Sequence, residues 1–303
     1  MRPGSAPREH GRMRIGIDEP ARLGRTELRG GRVLGWAEWG PADGTAVLLC
    51  PGAAQSRTLG FGTDLVDELG VRLISVDRPG LGVSDPAPGR TLLDFAEDVR
   101  DFAERRELPA MAVVGYSTGG PFALACAARG VAVAAAVVAG GDELPRFTGR
   151  LDPQVAETVG SVLADPRRAE ETFAGFGDVD AMWDMIIAGS SEMDRAVYCR
   201  PEFEAALRRA MAGGFAQGPA GYARDTVLVL GRWPFAVEEI AVPVHLCYGE
   251  HDTSPVHSPD LGASLAGRIP GATRHLMPDA GGSVLWTHAE AILRELLEAA
   301  SRG

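Results

Sequence analysis

Ala110-Met111-Ala112-Val113-Val114-Gly115-Tyr116-Ser117-Thr118-Gly119-Gly120-Pro121-Phe122-Ala123-Leu124-Ala125-Cys126-Ala127-Ala128 is the stretch on which the reading of the chain turns. Its first five residues form a short apolar run suited to a buried strand, and its last eight form an alanine-rich run suited to a buried helix. Between them sits a Gly-x-Ser-x-Gly turn. A serine between strand and helix occupies a strained bend that exposes its hydroxyl, and side chains in place of the flanking glycines would clash. In a chain with 39 glycines the bare pattern is weak. Set between a strand and a helix it becomes a strong sign of a nucleophile elbow, with Ser117 as nucleophile. The bland alternative is a structural serine in a glycine-rich turn.

Outward from this stretch the same alternation repeats. Ala46–Cys50, Arg72–Val76, Val131–Val138 and Val242–Tyr248 are short apolar runs bounded by Gly, Pro or Asp, and Thr26–Arg29 with Arg32–Glu38 flank Gly30-Gly31 as a hairpin. Helical patterns lie between them at Leu65–Leu69, Leu92–Arg105 and Pro121–Ala128, and a last one runs from about Thr287 to Ala300. Strands that are apolar on both faces and separated by helices predict an α/β fold with a mostly parallel twisted sheet covered on both sides. Residues 143–238 break the alternation: prolines 145, 153, 166 and 201 punctuate helical patterns rich in Phe, Met and Trp. Because strands resume afterwards, this segment is expected to be a helical cap inserted over a core formed by residues 21–142 and 239–303. Residues 1–20, polar and rich in Arg, Pro and Gly, are expected to be a flexible tail.

Composition narrows the function. The net charge is −11, which argues against a nucleic-acid surface. All 30 basic residues are arginine, so no Schiff-base or P-loop lysine exists. Lysine and asparagine, both absent, share A-rich codons, which points to a GC-rich bacterial genome. No apolar leader or membrane-length segment is visible, so a cytoplasmic location and no membrane partner are expected. Cys50, Cys126, Cys199 and Cys247 lack metal or disulfide spacing, the histidines lack ligand spacing, and no dinucleotide fingerprint is present. No metal or organic cofactor is implied. The expected partner is a small-molecule substrate.

Two further loops carry chemistry. Cys50-Pro51-Gly52-Ala53-Ala54 ends an earlier strand, where a fold with such an elbow places its oxyanion loop; the backbone N–H groups of Ala53 and Thr118 are the expected donors. An ordinary Pro-Gly turn is the competing reading. Tyr248-Gly249-Glu250-His251-Asp252-Thr253-Ser254-Pro255 continues from a strand end, and Asp252 there can orient a histidine. A turn or helix cap is the alternative use of Asp252, and Asp142 is a weaker rival for the acid. Gln55 stands in the early loop without a role.

Together these residues resemble the α/β-hydrolase superfamily, in particular its capped serine hydrolases. The resemblance rests on Leu48–Arg57, on Asp77-Arg78-Pro79-Gly80-Leu81-Gly82-Val83-Ser84, on Gly115–Ala128, on Trp233–Phe235 with Ile240, and on Val244–Pro255. It spans about residues 26–300. It implies a serine enzyme acting on a small, mostly apolar ester, lactone or thioester, by hydrolysis or acyl transfer. Two positions depart: Pro51 stands where relatives usually have histidine before the glycine of the oxyanion loop, which concerns loop packing, and the other concerns proton transfer. Relatives carry the catalytic histidine after the last strand, and the matching run, Leu276-Met277-Pro278-Asp279-Ala280-Gly281-Gly282-Ser283, has Gly282 there. The resemblance therefore implies a triad of Ser117 and Asp252 with its general base missing at Gly282, through either a natural change or an introduced inactivating one. His251, His257 and His288 are candidate substitutes. A cyclase or lyase using the pocket without a base, or a ligand-binding protein without turnover, are the readings that follow if none serves.

Overall fold

The computed structural model describes residues 15–108, 110–147 and 149–302. Eight strands form one sheet in the order β1-β2-β4-β3-β5-β6-β7-β8. They are β1 (Arg22–Glu27), β2 (Val33–Trp39), β3 (Thr45–Cys50), β4 (Val71–Val76), β5 (Met111–Tyr116), β6 (Ala132–Val138), β7 (Val244–Gly249) and β8 (Thr273–Met277). Strand β2 runs antiparallel to β1 and β4, and every other pairing is parallel. The expected hairpin forms with its first strand offset toward the N-terminus and its second shifted by one residue the other way: Glu27 pairs with Val33, and Leu28–Arg32 make the turn.

The parallel strands are buried because alternate residues feed two separate cores. Val47 and Leu49 of β3 and Ala112 and Val114 of β5 face one core, while Ala46, Leu48 and Val113 face the other. Helices α1 (Val66–Leu69), α2 (Leu92–Arg105) and α3 (Gly119–Ala128) connect the first strands. Helix α2 starts from a capping box, with Thr91 and Asp94 each bonding the other's backbone N–H.

Between β6 and β7 lie a 3₁₀ turn (Leu144–Phe147) and α4 (Pro153–Ala164), α5 (Pro166–Phe173), α6 (Val179–Ala188), α7 (Glu192–Tyr198), α8 (Pro201–Gly214) and α9 (Ala220–Leu230). Each expected proline break falls at a helix boundary, with Pro153, Pro166 and Pro201 each in the first turn. The chain closes with α10 (Ala263–Arg268), α11 (Val284–Thr287) and α12 (Ala289–Ala300), the last burying Ile292, Leu293, Leu296 and Ala299 against the sheet.

Contacts between the helical segment and the core bear directly on the loops above β3 and β4. The N–H of Ser56 donates to the Ala210 carbonyl of α8 at 2.9 Å. A Cβ on Gly214 would stand 1.8 Å from the Ala54 carbonyl oxygen, so glycine is required for α8 to lie this close to the loop. Arg78 and Arg90 both reach Asp225 on α9, and all three are buried.

The expected tail divides. Residues 1–14 lie outside the described part of the chain. Residues 15–20 are held to the core rather than loose: the Asp18 N–H donates to Thr63 Oγ1 at 2.7 Å, and the Trp39 indole donates to the Asp18 carbonyl at 2.8 Å. Backbone groups that find such partners order a segment despite its polar composition. Among the described residues no helix is long and apolar enough to cross a membrane.

Candidate active site

Ser117 begins the turn after β5 with φ of +50°, a left-handed conformation that a non-glycine residue rarely adopts. Its neighbours explain how the bend survives. A Cβ on Gly115 would meet the Gly119 carbonyl oxygen at 2.4 Å, and one on Gly119 would meet the Cys50 carbonyl oxygen at 2.0 Å. The glycines let α3 close on β5 and β3, and the Ser117 N–H is fixed by the Val138 carbonyl at 3.1 Å. The hydroxyl is thereby presented above the C-terminal edge of the sheet.

Asp252 and His257 complete a line from that hydroxyl. Ser117 Oγ lies 2.8 Å from His257 Nε2, and His257 Nδ1 lies 2.7 Å from Asp252 Oδ2. The carboxylate at Nδ1 favours the tautomer with its proton there, which leaves the Nε2 lone pair to accept the serine hydroxyl. The side chains of Asp252 and His257 are 2% and 8% exposed, so water competes little for either bond. The second Asp252 oxygen accepts the Ser254 N–H at 3.0 Å.

The structure thus corrects one expectation. Gly282 does stand beside Asp252, but the site does not lack an imidazole, because His257 brings one from the same loop as Asp252. A Cβ built on Gly282 points at Asp252 Oδ1 (3.3 Å), His257 Cε1 (3.5 Å) and the Tyr198 hydroxyl (3.6 Å). A side chain at 282 would enter the space that His257 fills. Of the other two candidates, His288 bonds Thr287 and Asp279, the latter at 3.2 Å, and His251 is exposed; neither lines the cavity around Ser117.

The path of the 250s loop explains how His257 arrives. Thr253 Oγ1 donates to the Gly189 carbonyl at 2.9 Å, and the Ser258 N–H donates to the Gly140 carbonyl at the same distance. Ser258 Oγ also donates to Asp142 Oδ2 at 3.3 Å. Asp142, the rival acid, therefore braces the loop and does not line the Ser117 cavity. Burial pushes its carboxyl up to about 6, since the charged form is poorly solvated there.

Ala53 and Thr118 flank Ser117 in the cavity lining, and Ala54 next to them also has positive φ, at 53°. The loop's orientation is set from behind. Arg78 donates to the carbonyls of Pro51 and of Gly52, the latter at 2.9 Å. In a trans peptide the N–H points opposite to the C=O, so the Ala53 N–H faces away from Arg78. Gln55 finds a place as well: it lines the cavity, and its Oε1 accepts the Gly52 N–H at 3.3 Å.

The cavity measures about 270 Å³ and is mainly apolar. Met182, Met185 and Ile186 of α6 and Leu207 of α8 wall one side; Tyr116, Tyr198 and Trp286 wall another. Tyr116 and Trp286 meet edge to face at 4.6 Å, and the Tyr116 hydroxyl donates to the Gly282 carbonyl at 3.2 Å while bonding the Tyr198 hydroxyl at 3.0 Å. Burial raises both phenols above their ordinary range, so they remain protonated donors. Asp194 of α7 accepts the N–H groups of Gly282 and Ser283 at 3.0 and 2.7 Å, pinning that turn to the helical segment.

Among curated proteins, none matches this sequence. Solved structures do match its fold. An esterase from Rhodococcus sp. ECU1013 superposes with a TM-score of 0.62 at 20% identity, covering 92% of this chain and 98% of its own. The enol-lactonase from Burkholderia xenovorans LB400 gives 0.66 at 17%, with 92% and 100% covered. A thermophilic esterase from Thermogutta terrifontis gives 0.66 at 20%, with 92% and 99% covered. The profile of the alpha/beta hydrolase family matches residues 47–295, which take in the elbow, the loop bearing Asp252 and His257, and most of the last helix. This chain belongs to the alpha/beta hydrolase family.

Proposed function

We propose that the protein is a serine hydrolase of small, mostly apolar carboxylic esters or lactones, with Ser117 as nucleophile, His257 as general base and Asp252 as the orienting acid. The observation that carries this reading is the unbroken line Ser117 Oγ–His257 Nε2 (2.8 Å) and His257 Nδ1–Asp252 Oδ2 (2.7 Å). Ser117 Oγ attacks the carbonyl carbon as its proton passes to His257 Nε2. The N–H groups of Ala53 and Thr118 receive the oxyanion. Collapse of the tetrahedral intermediate expels the alcohol, which takes the proton from His257. Water then repeats the sequence on the acyl-enzyme and releases the acid. The helical segment acts as a cap in this reading, and its Met182, Ile186 and Leu207 set the apolar acyl or alcohol pocket. The cavity of about 270 Å³ favours short substrates.

A base-free cyclase and a ligand-binding protein were motivated by the glycine at 282; with an imidazole in hydrogen-bonding reach of Ser117, no observation favours either. Labelling with a fluorophosphonate, together with hydrolysis of p-nitrophenyl acetate, butyrate and octanoate, tests the proposal. The label is expected on Ser117, with faster turnover of the short esters. A folded protein that takes no label and turns over none of the three would refute it.

A further inference from the structure

His245, His275 and Glu295 meet on the face of the sheet that α12 covers. His245 lies near the start of β7 and His275 in the middle of β8, whose register pairs His245 with Thr273 and Cys247 with His275. Both rings point to one side of this edge of the sheet, stacked at 5.3 Å, and Glu295 descends on them from α12. Three atoms form a closed triangle. His245 Nδ1 lies 3.1 Å from His275 Nε2 and 3.1 Å from Glu295 Oε2, and His275 Nε2 lies 2.8 Å from the same carboxylate oxygen.

Protons cannot satisfy that triangle while Glu295 is a carboxylate. A ring nitrogen either carries a proton and donates or bears a lone pair and accepts, never both. If both nitrogens donate to Glu295, two N–H groups face each other along the third edge. If one donates and the other accepts, the acceptor's lone pair faces the carboxylate. With Glu295 as a carboxylate, one edge is repulsive in every assignment. A cation at the centre removes the conflict, because all three atoms then turn lone pairs toward one positive charge.

The dimensions fit. The circle through the three atoms has a radius of about 1.7 Å, so an ion at the usual 2.0–2.1 Å from each sits about 1 Å off their plane. Their separations approach the roughly 3.3 Å edge of a tetrahedron with such bonds. Two imidazoles and one carboxylate suit a divalent first-row transition ion rather than magnesium or calcium. The side chains are 12%, 23% and 42% exposed, so the site can be reached from solvent and a fourth position is open to water. His245 also stands four residues before the end of β7, about 13 Å along the strand from where the Asp252 loop begins.

We propose that His245, His275 and Glu295 bind one Zn²⁺ or a similar transition-metal ion, which clamps the edge strand β8 and the C-terminal helix onto β7. The full chain, stripped with EDTA and dialysed, is titrated with ZnCl₂ and followed by equilibrium dialysis with elemental analysis and by thermal unfolding. One equivalent should bind with a dissociation constant of about 10 µM or below, and Tm should rise with free zinc. His275→Ala and Glu295→Gln should each weaken binding by at least about tenfold and abolish the Tm rise, while p-nitrophenyl ester hydrolysis continues. Glu295→Gln, on a helix surface, keeps the test valid if His275→Ala fails to fold. Co²⁺ bound to the wild type should show visible bands of a four-coordinate site, absent from the variants. Failure of the wild type to bind at about 100 µM free zinc, or equal binding by wild type and both variants, would overturn the proposal.

Discussion

Strand β7 borders two clusters that each join histidine to a carboxylate, and they are wired differently. Past its C-terminal end Ser117, His257 and Asp252 form an open line, in which each imidazole nitrogen has one partner. Near its start His245, His275 and Glu295 form a closed loop in which two nitrogens and one oxygen compete. An open line has a consistent place for every proton and can pass one along. A closed loop has one edge too many, and suits an ion. Connectivity, more than composition, assigns histidine and carboxylate to acid–base work or to ligation.

The largest expected effect breaks the line. His257→Ala should lower kcat for p-nitrophenyl butyrate by about 10⁴–10⁶ with little change in KM; a loss below tenfold would mean that His257 is not the base. A second variant sharpens the point by moving the ring to the other strand's loop. Adding Gly282→His to His257→Ala opens the space that the Gly282 Cβ faces, and at least about tenfold of the lost kcat should return. In the wild type Gly282→His should bring no gain, because Asp252 is already engaged.

A smaller effect concerns the support behind the line. Arg78→Met removes the donors that orient the Pro51 and Gly52 carbonyls and should cost about 10–100-fold in kcat. Arg90→Met, which touches Asp225 but not those carbonyls, should leave kcat nearer the wild-type value. Equal losses in the two would assign the effect to general destabilisation.

The smallest is a pH effect on the loop's brace. The Asp142 carboxyl titrates at about 6 in the folded chain against an ordinary 3.8. The folded state therefore holds this proton more tightly than the unfolded one. The stabilisation is complete below pH 3.8 and is lost as pH rises through about 6. Asp142→Asn should gain stability relative to wild type between pH 4 and 7, by at most about 3 kcal/mol. Urea unfolding across that range measures it, and a difference independent of pH would contradict it.

The fold was legible because its signals are local. The elbow's glycines, the apolar runs of β3 to β7 and the prolines that open α4, α5 and α8 announce themselves within a few residues. Strand β8 was harder: Thr-Arg-His-Leu-Met sits at the sheet's edge, only partly buried, and carries no apolar run. With β8 unread, the register that unites His245 and His275 was invisible, and spacing along the chain argued against a metal site. The imidazole near Ser117 was misplaced for a related reason. A resemblance transfers a position in sequence, whereas catalysis requires a position in space. His257 comes within hydrogen-bonding reach of Ser117 because Ser258 and Thr253 tie its loop to Gly140, Asp142 and Gly189, contacts that no spacing rule announces.

With the proposed acid and base five residues apart on one loop, less is asked of the rest of the chain. Under the proposed mechanism, nothing after Ser258 handles a proton, so the turn at 282 and Trp286 are released to act as flooring for the chamber. Exchange at Trp286 would then reshape which acyl groups fit while leaving the proton path intact. A family member with its base after the last strand lacks that freedom, because there the same residue must both shape the chamber and move the proton.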